Sequence, residues 1–203
     1  MFPESLHRRI AVPILKLYWG LHRLSGRNRA SWNDQYLRGK WNCDRRSANT
    51  IARVVNLCRG GRLIEFGCGS GDLPHVLPAG TFSTYLGIDI SDVAIAKAKQ
   101  LAHERQLKAC EFSQMDMTRW PGDAGVSLVL VEECLYYLDE KAQEAFLLGC
   151  CRSLAEEGRI LVVVHDGVKH ARTLATCRRL CRVVKDEVIV PRTYLTLSPK
   201  ASM

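Results

Sequence analysis

The chain has 203 residues, 47% of them hydrophobic and 25% charged, which suits one globular domain with a full core. No apolar run is long enough to span a bilayer, and Lys16 interrupts the only stretch resembling a secretory signal, Ile10 to Leu15. The net charge of +8 is uneven: residues 1–62 carry 13 Lys and Arg against 3 Asp and Glu, residues 63–151 carry 6 against 13, and residues 152–203 carry 10 against 5. An acidic centre suits a cationic ligand, and the basic ends suit an anionic partner or simply a solvated surface.

Residues 4–25 mix Leu, Ile, Tyr and Trp with Arg, Lys and His, and Pro13 kinks or restarts any helix there. A basic amphipathic segment of this kind lies peripherally on an anionic membrane, caps a substrate pocket or packs on its own domain. Residues 1–43 therefore read as an N-terminal lid segment, and residues 44–203 as the main domain. Asp44 is placed to cap a helix ending near Cys58 at Gly60-Gly61. Alternation follows: a strand over Arg62 to Phe66, a short helix over Asp72 to Leu77 and a strand over Thr84 to Ile88. Next come a helix capped by Ser91 and running to Glu104, and strands over Ala109 to Ser113 and Ser127 to Val131. A helix over Asp139 to Ala155, stopped by Gly158, leads to the apolar strand Arg159 to Val164. After a helix over His170 to Cys181, strands Val183 to Val190 and Tyr194 to Leu197 form a hairpin. Such alternation predicts an α/β fold with a mostly parallel sheet, ligands lying beyond the carboxyl ends of its strands.

The first strand enters Glu65-Phe66-Gly67-Cys68-Gly69-Ser70-Gly71, a turn whose glycines let backbone approach a ligand. A dinucleotide fingerprint has Gly or Ala at the position that Asp72 occupies, and an acid there repels a pyrophosphate but not a cation. Asp89, ending the second strand, suits the two hydroxyls of a ribose, and Ile90 suits an adenine face. Asp116 and Met117 follow the third strand, where a carboxylate accepts from an adenine amino group and a thioether covers the ring. Nine cysteines are scattered without metal or redox spacing, so no metal is expected; they read as reduced, small apolar residues of a cytoplasmic protein.

The segments LIEFGCGSGDLPHVL, YLGIDIS, SQMDMTRWP, SLVLVEECLYYL and GRILVVVHDG together resemble the class I S-adenosylmethionine-dependent methyltransferases over about residues 44–200. The fourth of them is particularly similar to small-molecule members such as the nodulation N-methyltransferases. The resemblance implies a seven-stranded Rossmann-like sheet with an antiparallel last strand inserted between the fifth and sixth. It implies S-adenosylmethionine as cofactor, with Glu65, Gly67, Cys68, Gly69 and Gly71 at its methionine part. Asp89 and Ile90 are then at the ribose and adenine, Asp116 and Met117 at the adenine, and Glu132 and Glu133 between cofactor and acceptor. Tyr36 and Trp41 fall in a segment resembling the one that closes over the cofactor.

The expected acceptor is an oxygen or nitrogen of a small or medium-sized metabolite, with Glu133 or His165 as base and Tyr136 and Tyr137 shaping the pocket. Glu-Cys-Leu-Tyr stands where amino-methyltransferases of adenine or glutamine have an Asn/Asp-Pro-Pro-aromatic run, which argues against that chemistry. An RNA or protein substrate held by the basic termini is the alternative; a pI near 9.1 admits it, but no aromatic and basic RNA-binding motif accompanies it.

Overall fold

A computed structural model describes residues 27–41 and 47–201. The segment 4–25, the capping position Asp44 and Cys43 lie outside the described residues. Seven strands form one sheet: β1 (Arg62–Phe66), β2 (Thr84–Asp89), β3 (Cys110–Gln114), β4 (Val126–Glu132), β5 (Leu154–His165), β6 (Arg182–Ile189) and β7 (Arg192–Ser198). Their order is β3-β2-β1-β4-β5-β7-β6. All neighbours are parallel except at β7, which runs antiparallel to both β5 and β6. The fold is therefore the expected Rossmann-like one, including the strand inserted between the fifth and sixth.

Six helices are described: α1 (Arg27–Leu37), α2 (Ala48–Cys58), α3 (Leu73–Val76), α4 (Asp92–Glu104), α5 (Glu140–Ser153) and α6 (Ala171–Leu180). Continuous apolar runs in β4 and β5 reflect a sheet covered on both faces. One core, containing Ile64, Phe66, Val129 and Val162, joins the sheet to Phe146 and Leu147 of α5 and Leu174 of α6. The other, containing Leu63, Tyr85, Leu130 and Val163, joins it to Val54 of α2, Leu73 of α3 and Ile95 of α4.

Most boundaries fall within a residue of the sequence reading, and three differ further or for a different reason. Helix α2 is capped by Ser47, whose side chain accepts from the Thr50 N–H. Helix α5 ends at Ser153 rather than Ala155, and β5 already begins at Leu154, opposite Val126. The next residue in register with β4 is Arg159, opposite Leu128, so residues 155–158 bulge from the strand. Gly158 is there because a Cβ would fall 2.5 Å from the Val126 carbonyl oxygen, not because it stops a helix. Strand β7 starts two residues earlier than expected, leaving only Val190 and Pro191 in the turn.

Candidate active site

Strand order reverses between β1 and β4, so the crevice above their carboxyl ends is where this architecture places a ligand. The turn after β1 supplies its floor. Gly67 N and Cys68 N both donate to the Ile88 carbonyl, at 2.8 and 3.1 Å, which folds the turn over the end of β2. Gly69 has φ +57°, and a Cβ there would sit 2.8 Å from the Tyr36 hydroxyl oxygen. Only glycine leaves that approach open. Gly71 has a different reason: its Cβ would strike Ala98 and Phe112, each at 2.8 Å, so this glycine seats the turn against α4 and β3. The Cys68 side chain is buried in the core below the turn, leaving its backbone to face the crevice.

Asp89 ends β2 as a buried carboxylate. Its Oδ2 accepts from Gly69 N at 3.0 Å and its Oδ1 from Ser91 N at 2.9 Å. Burial pushes the Asp89 carboxyl above its ordinary value, opposed by hydrogen bonds from the backbone of Ser91, Gly69 and Ile90. Ile90 beside it is half-buried. Glu65 is fully buried on the face covered by α2, α3 and α4, and accepts a hydrogen bond from the Tyr85 hydroxyl. Asp116 caps a single 3-10 turn, its Oδ1 accepting from Thr118 N at 2.9 Å, and Met117 packs against the core beside it. The Ser70 hydroxyl is buried with no hydrogen-bond partner among the described residues, leaving capacity for a ligand at the turn.

The acceptor side begins where β4 ends. Glu132 Oε1 accepts from the Thr50 hydroxyl at 2.8 Å, which ties α2 to this strand end. Glu133 has φ +53°, a left-handed backbone uncommon for a side chain of its size and a mark of functional sites. Its Oε1 is 2.7 Å from Arg192 Nε on β7, both side chains being half-buried. His165 stands opposite Arg192 in the β5–β7 ladder and is exposed. Tyr136 is half-buried, and burial, with Tyr137 and Glu133 nearby, pushes its phenol up, so the ring stays neutral.

The residue that sequence reading missed is His170, which stacks flat on Tyr136 with ring centroids 3.9 Å apart and 16° between planes. The row continues through Tyr137, 4.8 Å from Tyr136, to Trp32 at 5.2 Å and Trp41 at 5.9 Å. Trp32 opens the segment, with Tyr36 and Trp41, that resembles the one closing over the cofactor, whereas His170 lies in no motif; the fold alone sets the two in this row.

Helix α1 closes over the turn. Asn33 Oδ1 accepts from the Ser91 hydroxyl at 2.7 Å, Arg29 pairs with Asp92 at 2.8 Å, and Lys97 Nζ donates to the Tyr36 carbonyl at 2.8 Å. Tyr36 is buried by these contacts, whereas Trp41 lines a cleft of about 250 Å³ with Ser70, Asp72 and Lys97. Among the described residues no group of three or more His, Cys, Asp or Glu could hold a metal.

Known proteins can be set beside this geometry. The chain is similar to the N-methyltransferase NodS from Bradyrhizobium japonicum WM9, solved with S-adenosyl-L-homocysteine, at TM-score 0.63 and 16% identity, covering 78% of this chain and 91% of that one. It is similar to a TehB-like SAM-dependent methyltransferase from Corynebacterium glutamicum at TM-score 0.65 and 18% identity, covering 84% and 99%. The O-methyltransferase NcsB1 of neocarzinostatin biosynthesis, solved with S-adenosylmethionine and 2-hydroxy-5-methyl naphthoic acid, gives TM-score 0.62 and 15% identity over 75% and 53%. No curated protein matches in sequence. These likenesses establish the fold; a family model described as a methyltransferase domain matches residues 58–193. That span runs from the end of α2 to β7 and contains the glycine turn, Asp89 and Glu133. The glycine turn folded over the end of β2 and the buried carboxylate beside it suit S-adenosylmethionine, and the chain belongs to the methyltransferase-domain family, as a class I S-adenosylmethionine-dependent enzyme.

Proposed function

We propose that the chain methylates an oxygen or nitrogen of a small or medium-sized metabolite, held between the aromatic row and the end of β4. The observation that carries this reading is the row of rings, Trp32, Tyr137, Tyr136 and His170, set just beyond the end of β4. Such a surface suits a compact, partly apolar acceptor better than an extended polymer.

When bound, S-adenosylmethionine supplies an electrophilic methyl group on a cationic sulfur. Asp89 holds the ribose hydroxyls, and Asp116 with Met117 and Ile90 holds the adenine. Glu65, Gly67, Cys68, Gly69 and Gly71 shape the methionine end, and Glu132 stands beside it. Helix α1 and Trp41 act as the lid, with Tyr36 over the turn. The aromatic faces favour positive charge in the crevice and exclude water from it. Orienting the acceptor in line with the methyl group is the chief contribution of these residues. Of the two candidate bases, Glu133 is favoured, because it is half-buried beside Tyr136 whereas His165 is exposed. Arg192 fixes the Glu133 carboxylate, and an amine acceptor that arrives unprotonated needs no base.

The test is turnover, read as S-adenosylhomocysteine release, across small hydroxyl and amine acceptors and across RNA and protein. Turnover with small acceptors is expected. Turnover confined to RNA or protein overturns the reading.

A further inference from the structure

We propose that a tip at the acceptor end of the molecule, built from the β5–α6 loop and the β6–β7 turn, seats on an anionic lipid surface. The two segments form one unit. Asp166 N donates to the Pro191 carbonyl at 2.8 Å, and a Cβ on Gly167 would fall 2.4 Å from the Thr193 hydroxyl, so the loop lies directly on β7. Lys169 N donates to the Asp166 carboxylate at 3.1 Å and fixes the loop from within.

This unit exposes Val168 at 91%, Val190 at 87% and Val188 at 69%, with Ile189 also exposed. Single exposed aliphatics are ordinary; four on two bonded segments make an apolar patch. Cationic side chains accompany it. Lys169 and Arg172 are exposed and make no ion pair among the described residues. The acids nearest in the strands are engaged: Asp186 with Arg178, Glu187 with Arg53 and Lys185, and Glu133 with Arg192. Asp166 is turned to its own loop's backbone. Exposed valines beside Lys169 and Arg172, two cations against the one carboxylate of Asp166, match the chemistry of an anionic bilayer, where the apolar groups enter the interface and the cations meet headgroups.

A second copy of the chain is the less suitable occupant. Strand β6 is the open edge of the sheet, and its centre is Lys185-Asp186-Glu187, the kind of charge that blocks pairing between edges. Val183 and Val184 are also exposed on this edge, but Lys185-Asp186-Glu187 separates them from the tip, where Val168 and Val190 are the most exposed aliphatics, beside the Glu133–Arg192 pair. An acceptor drawn from that surface rests on the reading of the acceptor side given above; the docking itself does not.

The experiment is co-sedimentation of the full chain with vesicles of phosphatidylcholine and phosphatidylglycerol in equal parts, against phosphatidylcholine alone. Binding to the anionic vesicles only is expected. Partition should fall at least about fivefold in Val168→Ser/Val190→Ser and again in Lys169→Gln/Arg172→Gln, at unchanged S-adenosylmethionine affinity, since all four side chains are exposed. Unchanged partition in both variants assigns the binding to another segment, residues 1–26 included, and overturns the proposal. So does failure of the full chain to sediment with anionic vesicles, or a solution dimer that the valine variant dissociates.

Discussion

Asp89 shows how one side chain can weaken a fold and serve its ligand. Burial raises its pKa from the ordinary 3.8. In the cofactor-free protein its contribution to stability is fully present below that ordinary value and is lost as pH rises through the raised one. Ribose hydroxyls need the ionised form, so cofactor binding has the opposite sign: affinity should fall as pH drops through the raised pKa. In Asp89→Asn that pH dependence should vanish, which calorimetry at a series of pH values upward from the ordinary carboxylate pKa would check. Asp89→Ala should weaken S-adenosylmethionine binding by more than about tenfold, on the order of 1.4 kcal/mol; unchanged affinity would refute the ribose assignment. For Glu133, replacement by Gln should lower kcat by about tenfold or more on a hydroxyl acceptor and far less on an unprotonated amine. Equal losses on both acceptors would reduce Glu133 to a structural partner of Arg192.

At the scale of elements, the glycine turn and its lid depend on each other. Gly69→Ala and Gly80→Ala both place a side chain at positive φ, at about 1–2 kcal/mol each. Only Gly69→Ala also meets another residue, Tyr36, because nothing lies within 4 Å of a Cβ on Gly80. The expectation is similar loss of thermal stability in both, and loss of cofactor affinity in Gly69→Ala alone. Ser91 ties the lid to α4: its hydroxyl caps the helix at Ala94 N and donates to Asn33. Ser91→Ala should cost about 1–2 kcal/mol in denaturant unfolding and also loosen α1, seen as faster hydrogen exchange over residues 27–37. The cap at Ser91 was legible because the sequence places it directly before an apolar period. The cap at Ser47 was not, since Asp44 is an equally good capping residue three positions earlier and local chemistry does not choose between them.

At the scale of the molecule, charge follows the site. The acidic central third contains Glu65, Asp89, Asp116, Glu132 and Glu133, and the basic flanks lie outside it in sequence. No helix among the described residues is long and apolar enough to cross a membrane. Removing residues 1–25 should leave cofactor affinity unchanged, because the glycine turn, Asp89 and Asp116 all belong to the main domain, while altering acceptor use or vesicle partition. A truncated chain that is fully active and partitions like the whole one would show the segment to be dispensable.

The sequence by itself determined the strand–helix alternation, the glycine turn, the acids at three strand ends and hence the fold and cofactor. Each is a local pattern, set by side-chain periodicity or by the spacing between a strand and its turn. Tertiary structure alone brought together the residues of the proposed acceptor side. Trp32, Tyr136, His170 and Arg192 come from α1, the turn after β4, the start of α6 and β7, and no local signal links residues so far apart in the chain. It also set the two candidate bases in different surroundings, Glu133 half-buried against Arg192 and His165 exposed. Burial and ion pairing depend on what the whole sheet brings together, which no stretch of sequence carries.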